Sequence, residues 1–247
     1  METHAHHLHK APGKSFGHYF FEFLMLFLAV FCGFLAENIR EHYVDMRKEK
    51  EYMHSLLQDL HADVREMDTT LKVGTMSTEK LDSLIYMLNE KDPDENAQTI
   101  YRLAPGAGRV VGMSFSDRTS SQLKNSGSMR LVRNSNLSDS IEYYWEEIKN
   151  DDFISDRLLD LQSKATDLTV QVINNKYYES PDASKPLERS LKPGAKLITS
   201  DPKLIAQLSN RESNRRVVLY NYLRHLRITH EMAVRLIELI KKEYHFE

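Results

Sequence analysis

Phe23-Leu24-Met25-Leu26-Phe27-Leu28-Ala29-Val30-Phe31-Cys32-Gly33-Phe34-Leu35-Ala36 is apolar or small at every one of its 14 positions. Extended back through Glu22 to Tyr19 it reaches 18 residues, close to the ~20 that cross the hydrocarbon of a bilayer as a helix. Phe16, Tyr19, Phe20 and Phe21 supply aromatic rings suited to one interface, and Glu37, Asn38 and Arg40 end the run on the other side. A cleaved signal peptide would place small residues at −3 and −1 of its cut, and before Glu37 the −3 position is Phe34. A lipoprotein signal would place a small residue before Cys32, where Phe31 stands. A soluble core helix would not be apolar on every face in a chain whose other helices are amphipathic. The expected organisation is a polar, His-rich tail over 1–18, a transmembrane helix over 19–37 and a soluble α-helical domain over 38–247.

Within the span, Glu22 is the costly residue, because an ionisable group at membrane depth faces protein or the interface. At about 100° per residue, Ala29, Gly33 and Ala36 fall within about 40° of Glu22 around the helix. Ala29-x-x-x-Gly33 is a small-x-x-x-small pair that lets two backbones approach. The stripe Glu22, Ala29, Gly33 and Ala36 is therefore read as partner-facing, against the plainer reading of a glutamate at headgroup level. Lys10 and Lys14 precede the span; Arg40, Arg47, Lys48 and Lys50 follow it. Counting cations alone slightly favours a cytoplasmic C-terminal domain.

Working outward, Met53, Leu56, Leu60, Val64, Met67 and Leu71 step by three and four, the spacing of an amphipathic helix. This helix is expected to continue out of the span, because no glycine or proline intervenes between Gly33 and Gly74. Ser77 or Thr78 is expected to cap a second helix carrying Leu81, Leu84, Ile85 and Leu88, ending before Pro93. Residues 104–117 read as irregular, followed by short helical pieces near Ser120 to Lys124 and Met129 to Arg133. A long helix is expected from about Ser138 to Tyr178 through Ile141, Tyr144, Ile148, Leu158, Leu161, Ala165, Leu168 and Val172, with a kink or exposed patch at Asp151-Asp152. Residues 180–202, with four prolines, read as a polar linker. The last helix is expected from about Asn210 to Tyr244. The fold class is all-α: one transmembrane helix continuing into an elongated antiparallel helical bundle, or a coiled-coil stalk that oligomerises.

The chain carries 33 basic and 36 acidic residues, a net charge of −3, interspersed along its length; nucleic acid is not an expected partner. Cys32 is the single cysteine, so neither a disulfide framework nor a cysteine-based zinc site is possible. Gly106-x-Gly108 lacks the rest of a phosphate-cradling loop, and no serine lies in a Gly-x-Ser-x-Gly elbow. His230 reads as a core histidine with no carboxylate partner at helical spacing. Glu146-Glu147 and Asp151-Asp152 read as pointing to different helix faces rather than as a catalytic pair. His4, His6, His7 and His9 belong to a tail rather than a metal site. No cofactor, metal or catalytic residue is nominated.

Two patches resemble an uncharacterised family of single-pass membrane proteins of Bacteroidota. One runs from Glu22 to Asn38, then through Arg47-Lys48-Glu49-Lys50-Glu51-Tyr52-Met53 to Leu60. The other is Leu123-Lys124-Asn125-Ser126-Gly127-Ser128-Met129-Arg130-Leu131-Val132-Arg133-Asn134, followed by Leu137, Ile141 and Tyr143-Tyr144. The family's Asn-Trp after the span is absent here, since Ile39 follows Asn38. Read physically, Ser126, Gly127 and Asn134 form a helix-break motif, with Gly127 free to take positive φ. The resemblance implies a bacterial inner-membrane anchor and a periplasmic domain. The reading as a whole is a non-enzymatic scaffold or accessory subunit of an envelope complex, acting on the lipid bilayer and through self-association or a membrane protein complex. A ligand-binding sensor that signals through a separate partner is the alternative.

Overall fold

A computed structural model describes residues 16–109, 113–179 and 190–246. Residues 1–15 of the expected tail, with His4, His6, His7 and His9, lie outside the described residues, as do parts of the irregular stretches 104–117 and 180–202, while Phe16–His18 already belong to the first helix. The fold is all-α: α1 (Phe16–Leu88), α2 (Ala97–Leu103), α3 (Arg118–Asn125), a 3-10 turn (Ser128–Leu131), α4 (Ser135–Val172) and α5 (Pro202–Tyr244), plus two-residue strands at Tyr178–Glu179 and Ser190–Leu191. The chain divides into two compact units, Met1–Lys50 and Glu51–Glu247.

In the first unit, α1 contains an 18-residue window of mean hydropathy 2.2, none of it buried. It is the one helix, among the described residues, long and apolar enough to cross a membrane.

In the second unit, α1 lays down an unbroken heptad seam: Met53, Leu56, Leu60, Asp63, Met67, Thr70, Gly74, Ser77, Leu81, Leu84 and Leu88, all buried. Steps of three and four alternate throughout, which keeps one face on its neighbours for ten turns of packing. Leu60, Met67 and Leu81 are wholly inaccessible, each worth about 1.5–3 kcal/mol of burial. The expected break at Gly74 and the cap at Ser77 or Thr78 do not occur. Gly74 sits in mid-helix because a Cβ there would collide with the Leu223 side chain of α5. Its smallness serves close helix packing, not termination. The seam also passes through Asp63 and Thr70 rather than the half-buried Val64 and Leu71.

α5 repeats the pattern with Ile205, Leu208, Glu212, Arg215, Leu219, Tyr222, Leu226, Thr229, Ala233, Leu236 and Ile240, again all buried. It starts earlier than the expected Asn210, because Asp201 caps it by accepting from the Lys203 amide and Pro202 occupies the first turn. α4 is likewise continuous. Asn134 caps it by accepting from the Leu137 amide, and it closes at Val172 rather than Tyr178. At the acidic pair Asp151 is buried, 1% exposed, whereas Asp152 and Phe153 are exposed, so the expected exposed patch begins at the second acid and the helix runs on through it.

Cross-helix pairs fix the directions. His54 meets Phe246, Asp68 meets His230, Asp82 meets Arg216 and Asn89 meets Ser209, so α1 and α5 are antiparallel. Asn134 meets Glu243 and Asp151 meets His225, so α4 and α5 are antiparallel too. α1 and α4 therefore run the same way, and the segment between them must return along the bundle. It does so by hanging on α1: Gly108 N donates to Ser77 O, Ser114 N to Glu66, Ser116 N to Asp63 and Thr119 N to Asp59. Three carboxylates at helical steps of four and three thus satisfy amides of an irregular segment that has no ladder of its own. The arrangement is up, down, up, down, with the first descending member comprising α2, irregular chain described at 104–109 and 113–117, α3 and the 3-10 turn.

Candidate functional site

The polar residues interrupting the three seams divide into separate stations. At the first, Asp63 accepts from Ser116 N at 2.8 Å and from the Tyr144 hydroxyl at 2.9 Å. Burial raises the Asp63 carboxyl above its ordinary range, against the lowering effect of these donors. Burial, reinforced by Asp63, also holds the Tyr144 phenol un-ionised. Nearby, Asp59 accepts from Thr119 N and Thr119 Oγ1 and pairs with Arg118 at 2.9 Å. These groups hold the descending segment against α1 and leave no group aimed at a reactant.

At the second station, His225 of α5 lies between two acids of α4. Its Nδ1 is 2.8 Å from Asp151 Oδ1 and its Nε2 is 2.8 Å from Glu147 Oε2. Within each acidic doublet the neighbours differ in burial, Asp151 being buried and Asp152 exposed, but Glu147 and Asp151 are four residues apart and share a helix face, a pairing across the doublets that the sequence reading did not consider. Two acceptors on two ring nitrogens demand two N–H donors. Burial raises the Asp151 carboxyl, while the hydrogen bond from His225 opposes that rise. Tyr222, one turn away, is pushed up to about 12 by burial and then by Asp151. Because the ring nitrogens face opposite ways, the three side chains do not converge on a point, and among the described residues no cluster has the arrangement of a metal site. His230 also has a carboxylate beside it, Asp68 Oδ1 at 3.1 Å. Sequence spacing could not reveal it, because the partner is on α1.

The third station opens to solvent. Glu212 and Arg215 pair at 2.7 Å with side chains 4% and 5% exposed, and Arg215 Nη2 donates to Ala107 O at 2.8 Å. Burial raises the Glu212 carboxyl despite the Arg215 guanidinium beside it. Gly108 follows with φ of 61°, and a Cβ there would lie 2.7 Å from Arg215 Nη2. Only glycine fits that combination of left-handed backbone and contact. On the neighbouring side, the buried Tyr101 donates to Lys196 O at 2.9 Å and accepts from Asn174 N at 2.8 Å, while the Tyr178 hydroxyl donates to Tyr101 O at 2.6 Å. Between these two knots lies a cleft of about 870 Å³. Arg102, Arg109, Thr166, Thr169, Asn175 and Tyr178 are among its lining residues. Of these residues Thr166, Thr169, Asn175 and Tyr178 lie in the stretch expected to be helical and the two arginines do not, and nothing local in the sequence marks the cleft.

Of the residues nominated from sequence, Glu22, Ala29, Gly33 and Ala36 are all exposed on α1, Glu22 lies 3.5 Å from His18, and nothing lies within 4 Å of a Cβ placed on Gly33. Ser126 ends α3, its hydroxyl donating to Gln122 O, and Gly127 has a φ of 65°. Asn134 begins α4 and its amide nitrogen donates to Glu243 at 3.0 Å. Set against protein-family models, curated proteins and solved structures, the chain matches none of them.

Proposed function

We propose that the chain is a non-enzymatic, membrane-anchored helical scaffold or accessory subunit of a bacterial envelope complex. Its anchor would be residues 19–37, its membrane the inner membrane, and its bundle periplasmic. The observation that carries this reading is the uncovered apolar face of α1. Phe20, Phe23, Leu26, Phe27, Val30 and Phe34 are each more than half exposed, a burden that lipid or another helix must relieve. Further support is that the acids of the first two stations are engaged in holding segments together rather than converging on an open site. The likeness to the Bacteroidota family adds the compartment to this proposal.

Purification of the full chain in mild detergent, followed by native mass measurement and identification of what co-purifies, tests it. A second copy or a stoichiometric membrane partner is expected, weakened by Gly33→Leu. A strictly monomeric, partnerless protein overturns the scaffold. For the side of the membrane, Asp160→Cys in a Cys32→Ser background should react with an impermeant maleimide in intact spheroplasts. Protection until lysis would put the bundle in the cytoplasm.

A second reading, a ligand-binding sensor that signals through a separate partner, is favoured by the third station. Its volume lies within the range of pockets that enclose metabolites, roughly 300–1,000 Å³.

A further inference from the structure

We propose that the cleft between the 104–109 turn, α4 and α5 binds a small organic anion bearing a carboxylate or phosphate. This rests on the sensor reading and names the chemical class of its ligand.

The charge balance is the first ground. Arg102 and Arg109 line the cleft, exposed to solvent, and make no ion pair among the described residues. The third arginine, Arg215, is matched by Glu212 beside it. With that pair cancelled, the described lining residues keep two guanidinium groups in excess and include no other acid. Guanidinium is the side chain best matched to planar, bidentate recognition of carboxylate and phosphate oxygens.

The second ground is construction. Burying an ion pair gains little stability and costs desolvation, yet Glu212 and Arg215 are placed in the middle of the α5 seam where leucine would pack. What the pair achieves is geometric. Arg215 holds the carbonyl of Ala107, its guanidinium packs on Gly108, and the next residue is Arg109. The turn that presents Arg109 is thus held to α5 by a buried, charge-assisted hydrogen bond. Its Nε has no hydrogen-bond partner among the described residues, an unsatisfied donor tolerated under the cleft. On the opposite wall, Thr166 and Thr169 donate their hydroxyl protons to carbonyls one turn back on α4, and Asn175 adds an amide. Val170 and Ile173 add an apolar strip. Cations on one side, with neutral polar groups and apolar surface along α4 on the other, suit a charged head on a short carbon skeleton.

The experiment uses the full chain in nanodiscs, titrated calorimetrically with citrate and pyrophosphate as anionic probes, and with glucose and putrescine as neutral and cationic controls. Saturable binding of at least one anion is expected, absent for both controls. It should weaken at least tenfold in the Arg102→Gln/Arg109→Gln double variant, whose two surface sites leave the core intact. Thr166→Trp, which fills the cleft from an exposed position on α4, should abolish it. Anion binding that survives the arginine changes overturns the proposal. Binding of glucose or putrescine that Thr166→Trp abolishes overturns the anionic class while leaving a ligand cleft. No saturable binding by any probe overturns both the class and the sensor reading.

Discussion

Residues 19–37 and residues 53–88 belong to the same helix and treat apolar side chains in opposite ways. In the first stretch apolar or small residues run without interruption from Phe23 to Ala36 and stand largely exposed, with Phe34 at 70% and Leu26 at 68%. In the second they come every third and fourth residue and are buried, with Met53 and Leu60 at 0%. Helix formation is common to both. What differs is the angular distribution of side chains: an all-round apolar surface has no side to give to water, while a seam has one side for protein and one for solvent. The backbone is satisfied within the helix in both cases, which is why a helix serves in either medium.

Substitutions that act on one stretch and spare the other sharpen this contrast. The largest effect is expected at Leu60→Ala, about 2–5 kcal/mol off the stability of the bundle, read as a lower urea midpoint with membrane association unchanged. Leu28→Arg should do the reverse. It should cost membrane insertion by about 2.5–3.5 kcal/mol, seen as a shift of the chain into the soluble or aggregated fraction. If Leu28→Arg leaves the chain fully in membranes, the assignment of the first stretch fails.

The two mid-helix glycines give a finer comparison. Gly74→Ala must displace the Leu223 side chain, costing about 1–3 kcal/mol of overpacking, less about 1 kcal/mol gained in helix propensity. A net loss of stability is expected, whereas Gly33→Ala, with nothing within 4 Å, should leave the bundle's unfolding unchanged. Equal responses would mean that Gly74 is not a packing glycine.

The smallest effect concerns pH. Asp63, Asp151 and Glu212 all have carboxyls raised by burial, so the native state holds their protons more tightly than the unfolded chain. Their contribution to stability is greatest below the ordinary carboxylate range and is lost as pH rises through the raised native values. Relative to the wild type, Asp63→Asn should therefore flatten the fall in urea midpoint measured from mildly acidic to neutral pH. A profile parallel to the wild type would show that Asp63 titrates normally.

The sequence pattern was legible where seams are made of leucine and methionine and misleading where they turn polar. Asp63, Thr70, Gly74 and Ser77 continue the α1 repeat, yet by residue type they suggest solvent, a break and a cap. Glu212 and Arg215 disguised the first turns of α5 in the same way. Distant segments supply the partners: Ser116 and Tyr144 for Asp63, Leu223 for Gly74, Ala107 for Arg215. α2 went unread because a helix of seven residues is too short for periodicity to declare itself. The cleft was invisible for the related reason that Arg102 lies on this short helix and Arg109 on a turn tied to α5.

The sequence by itself determined that this is an all-α chain with one uncovered apolar helix, because those features depend on side-chain periodicity and mean polarity along a local stretch. Only the tertiary structure decided that α1 and α4 run parallel with an irregular segment descending between them. It alone brought His225 between Glu147 and Asp151, and set Arg102 and Arg109 around a cleft. Hydrogen bonds and ion pairs reach about 3 Å in space without regard to distance along the chain, so those pairings exist only once the helices are packed.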